Sequence, residues 1–139
     1  SRGVKAFAAE IPGISISQKN NGANSLTACI RLLLEYRNVQ ADISLYNPEE
    51  AKLTDWLEQY IKADVMKLSG VTLDEALYYV YCQNPVVAVN GNGEAILITG
   101  YDKSGVTAVQ PERGTKRHLA MREAESFLGE NDYYFIVIR

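Results

Sequence analysis

Side chains able to move a proton, attack a carbonyl or hold a metal are few in this chain of 139 residues, which has two cysteines and one histidine. Cys29 and Cys82 both fall in apolar helical patterns, where a thiol is most simply a core side chain. A nucleophilic cysteine needs a helix N-terminus or a neighbouring cation to hold it as thiolate, and an imidazole to take its proton and return it. His118 lies in Thr115-Lys116-Arg117-His118, which reads as a basic surface loop without the cysteine or aspartate spacing of a metal site. No metal or cofactor is therefore expected. Ser25 is most simply a helix cap, since a hydroxyl nucleophile needs a stronger base than an exposed carboxylate. Glu94, at a hairpin exit, is either a solvated strand end or a general base. Gly91-Asn92-Gly93 is a turn and not a phosphate loop, because a strand follows it. Tyr78, Tyr79 and Tyr81 divide between core and helix surface, where amphipathic rings suit a peptide groove.

The elements that must position these residues centre on Asn84 to Gly114. Three β-branched runs, Pro85 to Asn90, Ala95 to Tyr101 and Val106 to Val109, are separated by Asn-Gly-Asn-Gly and Asp-Lys-Ser-Gly. Those separators tolerate positive φ, so the segment predicts two consecutive hairpins. The runs are too continuously apolar for a one-faced sheet, so helices cover one side and partial cover lies on the other. Upstream, Asn24 to Arg37 predicts a central helix, apolar almost all round and capped by Asn24 or Ser25. Asn47-Pro48-Glu49-Glu50 opens a second helix through Leu53, Trp56, Leu57, Tyr60 and Ile61. Val65 to Leu68 is a short extended piece. Thr72-Leu73-Asp74-Glu75 matches a capping box and starts a third helix. Met121 to Leu128 forms a short helix that stops at Gly129, and Tyr133 to Ile138 is a final strand. Near the start, Ile11, Ile14 and Ile16 suggest a short edge strand after Pro12-Gly13, followed by a polar turn from Gln18 to Gly22. Helices first, then a mostly antiparallel sheet, is an α+β order.

The totals narrow the classes of function. Hydrophobic content of 47% with 22% charged residues is ordinary globular composition, and a net charge of −3 gives no basic footprint for nucleic acid. No apolar run approaches the ~20 residues needed to cross a bilayer, so this segment does not insert by itself. Ser1 to Phe7 lacks the core of a signal peptide and reads as a trimmed start with sequence upstream. No linker, repeat or low-complexity tract divides residues 1–139, which are expected to form one domain with residues 1–16 peripheral to it.

The layout resembles the C39 family of papain-like cysteine peptidases and the related C39-like domains, from about Ser17 onward. Gly93-Glu94-Ala95-Ile96-Leu97-Ile98-Thr99-Gly100-Tyr101-Asp102 is similar to the family's strand motif, which carries histidine where Glu94 stands. Val109-Gln110-Pro111 matches the end of the next strand, which carries aspartate where Gln110 stands, and Asn84-Pro85 matches the lead-in to the sheet. The resemblance implies Gln18 as the oxyanion donor. It leaves three registers for the nucleophile: Ser25, Ala23, or Cys29 with a helix beginning about a turn later.

The family's chemistry needs a thiolate at the helix N-terminus, an imidazole base and a residue that orients the ring. Here all three positions are altered together. The expectation is a catalytically degenerate C39-like domain of a bacterial protein. It would bind a peptide or protein segment in the inherited cleft through Gln18, Ser25, Glu94, Tyr101 and Gln110. Two alternatives stand beside it: a peptidase using Cys29 or a Ser25/Glu94 pair, and a structural module of a surface-anchored protein. Many C39-like domains sit at the bacterial cell surface, which favours an extracellular setting over a transporter's cytoplasmic domain.

Overall fold

The computed structural model describes residues 5–14, 24–61, 64–111 and 114–139. In chain order its elements begin with strand β1 (Ala9–Glu10) and helix α1 (Ser25–Tyr36), then a 3-10 turn at Ile43–Leu45. Helix α2 (Leu53–Ile61), strand β2 (Val65–Ser69) and helix α3 (Leu73–Tyr81) follow. The meander is β3 (Val86–Val89), β4 (Ala95–Asp102), β5 (Gly105–Gln110) and β6 (Thr115–Ala120), closed by helix α4 (Met121–Leu128) and strand β7 (Tyr134–Ile138). The architecture is α+β.

One sheet runs β2-β7-β3-β4-β5-β6, antiparallel at each described pairing, with β1 joined to β4 beyond a bulge between Ile98 and Gly100. The last strand in sequence thus sits between β2 and the meander, with Val87 paired to Ile136 and Lys67 paired to Ile136 on the other side. Strands β3 and β7 are buried along nearly their whole length because neighbours and helices cover both faces. Each fully buried aliphatic side chain there contributes roughly 1.5–3 kcal/mol.

Local chemistry explains where the helices start and stop. Asn24 caps α1, its side chain accepting the Thr27 N–H at 2.8 Å. Ser25 is therefore the first helical residue rather than the cap. Ala28, Cys29, Ile30, Leu32, Leu33 and Leu34 are all buried, as a helix apolar on most sides requires. Thr72 and Glu75 form the expected capping box of α3, with bonds of 3.1 and 2.9 Å. Helix α4 begins where the Glu123 carboxylate takes the Ala120 N–H at 3.2 Å, and it ends at Gly129 with φ +78°. In the first hairpin Asn90 and Glu94 close the loop, and Gly93 turns the chain at φ +80°, a value an L side chain resists.

A described N-terminal strand lies before Pro12-Gly13, at Ala9–Glu10, where the chain meets Gly100 and Tyr101 of β4; the strand expected after Pro12-Gly13, through Ile16, and the Gln18–Gly22 turn lie outside the described residues. Three expectations are corrected. Asn47-Pro48-Glu49-Glu50 makes an isolated turn, and α2 starts only at Leu53. The Tyr46 hydroxyl donates to the Ala51 carbonyl at 3.0 Å, fixing the chain between the two turns so that Leu53 and Leu57 face the core. Thr115 to His118 is not a loop but most of β6, paired residue for residue with β5. Cys82 is exposed just past α3, while Cys29 is buried.

Candidate functional site

The resemblance marks a helix N-terminus facing the start of one strand and the end of the next. Two parts of that arrangement meet. Ser25, the first residue of α1, accepts the Ala95 N–H on its Oγ at 2.9 Å, across 70 residues of sequence. Ala95 is buried, so this bond supplies the partner its N–H needs at the strand's beginning. It fixes the head of the long helix at the first residue of β4, next to Glu94.

The Glu94 carboxylate is held by a different group. It accepts from Asn90 Nδ2 at 3.1 Å, and the same amide donates to the Phe127 carbonyl near the end of α4 at 3.2 Å. The Asn90 side-chain oxygen accepts the N–H groups of Asn92 and Glu94, both at 3.0 Å. Asn90 is one of two buried polar residues among those described, and it sets the hairpin from which Glu94 projects. Its role was readable only as a turn signal in the sequence, because its partner on α4 is distant along the chain.

Gln110 ends β5. Val109 pairs with Leu97, and side chains alternate along strands, so Glu94, Ile96 and Gln110 share one face while Ala95, Leu97 and Val109 share the other. Gln110 Oε1 is buried and finds no hydrogen-bond partner among the described residues. Such an acceptor costs roughly 1–3 kcal/mol until an N–H reaches it. The two positions that the resemblance names for a base and its orienting partner, Glu94 and Gln110, thus lie on one face of the sheet, as a carboxylate and an amide.

The remaining candidates are placed elsewhere. Gln18 and Ala23 lie outside the described residues. Cys29 is in the second turn of α1, fully buried, and the helix begins at Ser25, so the late start that its register requires is not what the chain adopts. Tyr101 is seven residues along from Glu94, near the far end of β4; its ring is buried and its hydroxyl donates to the Ala6 carbonyl at 2.7 Å. It anchors the N-terminal segment instead of joining Ser25. Asp102, the last residue of the Gly-Tyr-Asp exit, is also occupied structurally. Its Oδ1 accepts from the Ser104 N–H and hydroxyl, both at 2.8 Å, and from the Gly105 N–H at 3.0 Å. His118 Nε2 stands 3.2 Å from both that oxygen and Ser104 Oγ. The Ser104 bonds, helped by His118, hold the Asp102 carboxyl down at about 2. Asp102, Ser104 and His118 resemble a catalytic trio only in composition. One histidine nitrogen meets both partners on an exposed hairpin, so the ring cannot pass a proton from one to the other through its two nitrogens.

No group of three or more histidine, cysteine or acidic side chains is arranged to hold a metal among the described residues. No described helix is long and apolar enough to cross a membrane.

No family model matches the chain, and no curated protein matches it in sequence. Among solved structures it is similar to a protein from Bacillus anthracis provisionally described as a C39-like peptidase. That likeness has a TM-score of 0.64 at 14% sequence identity and covers 95% of this chain and 97% of the other. At such identity the likeness is one of fold: the chain has a C39-like α+β fold over nearly its whole length.

Proposed function

We propose that this is a C39-like domain that binds an extended peptide or protein segment without cleaving it. The observation that carries the reading is the Ser25–Ala95 hydrogen bond. It supports taking the head of α1 and the start of β4 as the inherited site, with glutamate at the position of the base and glutamine at that of its orienting partner. Amide cleavage needs a group that accepts a proton from the nucleophile and returns it to the leaving nitrogen near neutral pH, a task suited to imidazole. Ser25 presents its oxygen to a main-chain N–H, and Glu94 is engaged by Asn90. Binding requires less: hydrogen-bond donors and acceptors along a cleft, to which the unpartnered side-chain oxygen of Gln110 adds one acceptor.

The test is a titration of the isotopically labelled chain with pools of extended peptides, followed by NMR. Saturable shifts at Ser25, Ala95, Glu94 and Gln110 are expected. Shifts confined to other surfaces, or none, would remove the reading. Stoichiometric labelling by a hydroxyl- or thiol-directed covalent probe, abolished by Ser25→Ala or Cys29→Ala, would replace it with an enzyme.

A further inference from the structure

Beside the head of α1 lies a groove of about 360 Å³, bounded by the Tyr46–Ala51 turn, the start of α2 and the face of β2 and β7. That volume is within the ~300–1,000 Å³ usual for ligand-binding clefts. Leu26, Tyr46, Pro48 and Tyr134 give it apolar and aromatic walls, Lys52 and Lys67 are its charged residues, and no carboxylate lines it among the described residues. Lys67 Nζ is 4.5 Å from the centre of the Tyr134 ring, whose electron-rich face holds the ammonium beside the groove. Neither lysine has a carboxylate partner among the described residues, whereas Lys5, Lys116, Arg117 and Arg139 each pair with one. In a chain with net charge −3, two unneutralised ammoniums on one apolar trough form a local field of the opposite sign.

We infer that this groove takes an extended peptide segment in which carboxylate side chains alternate with apolar ones. The inference rests on the peptide-binding reading and specifies the class of peptide. Tyr134 pairs with Val89 and Val89 with Ala95, so the groove begins two strands from the Ser25 contact. At ~4.8 Å per strand that is about 10 Å, a span that about three extended residues cover. Apolar side chains meet Leu26 and the two tyrosines, and carboxylates meet Lys52 and Lys67. Charge complementarity of this kind selects the partner and speeds its capture.

The experiment is fluorescence anisotropy of the full chain with two short labelled peptides, one alternating Glu with Val and Thr, the other carrying Lys in place of Glu. Both are titrated at low and high salt against wild type and the Lys52→Glu/Lys67→Glu double variant, whose changes fall on exposed positions. The acidic peptide is expected to bind about tenfold more tightly than the basic one, to weaken with salt, and to lose its advantage in the double variant. Equal binding of both peptides, or a preference that survives charge reversal, overturns the inference. If equal binding comes with NMR shifts at Ser25 and Ala95, the peptide-binding reading stands and only the acidic groove falls. If neither peptide nor any pool binds, both fall.

Discussion

Replacing Asn90 by alanine removes the side chain on which the first hairpin and the end of α4 both depend. Asn90 is 7% exposed and its side chain makes four hydrogen bonds: two accepted from the N–H groups of Asn92 and Glu94, and two donated to the Glu94 carboxylate and the Phe127 carbonyl. A protein hydrogen bond contributes about 1 kcal/mol net, and water can replace part of the pair on the exposed Asn92 and Glu94. The expected loss is about 2–3 kcal/mol. With a urea slope of about 2 kcal/mol per molar, that lowers the unfolding midpoint by roughly 1–1.5 M. The single tryptophan, Trp56, stacked on Tyr60 at 4.8 Å, provides the fluorescence signal. Asn90→Asp separates the two halves of the network. It keeps both acceptor bonds but sets a second carboxylate against Glu94, so it should be at least as unstable as the alanine variant at neutral pH. Its deficit should ease as pH falls into the carboxylate range, because crowding of like charges favours the protonated form in the folded state. A midpoint change below about 0.3 M for Asn90→Ala, or an Asn90→Asp variant as stable as wild type at neutral pH, would refute this account of the hairpin.

Four further outcomes are expected. Ser25→Ala leaves the buried Ala95 N–H without its acceptor, so stability should fall by about 1–3 kcal/mol and the Ala95 amide should lose hydrogen-exchange protection, while Ser25→Thr should retain most of both. In Gly105→Ala the new methyl would stand 1.9 Å from the Leu119 carbonyl oxygen, so β5 and β6 must part; a loss of about 3 kcal/mol or more is expected in thermal unfolding. Gly91→Ala, whose methyl meets nothing closer than 3.4 Å, should cost less than about 1 kcal/mol. Asp102 should titrate at about 2 by carbon-detected NMR, moving toward 3.8 in Ser104→Ala. Because its folded-state value is depressed, its contribution to stability is full above 3.8 and is lost as pH falls toward 2. An ordinary midpoint in wild type would contradict the Ser104 and His118 bonds.

Much of the fold was legible because local chemistry and global packing agree. The capping box at Thr72, the stop at Gly129 and the two hairpins follow from residues within a few positions of one another. Where the reading failed, distant contacts decided. β6 has one buried side chain, Leu119, so its alternation is invisible among exposed polar residues; it is a strand because the edge of β5 needs a partner. Charged side chains of this kind suit an edge, where they discourage further pairing. The turn at Asn47 has the residues of a helix start, and only the Tyr46–Ala51 contact and the burial of Leu53 and Leu57 show why the helix waits. For the proposed site, the sequence could mark Ser25, Glu94 and Gln110 but not the contacts around them. The Ser25–Ala95 bond spans 70 residues, and the Asn90 amide that holds Glu94 also reaches the Phe127 carbonyl of α4, 37 residues away.

The central claim is that the inherited cleft holds peptide while lacking a proton relay. A mass-spectrometric time course of a diverse peptide library incubated with the purified chain tests it most directly. The library should be recovered intact. Cleavage that grows with time and disappears in Ser25→Ala or Cys29→Ala would contradict it.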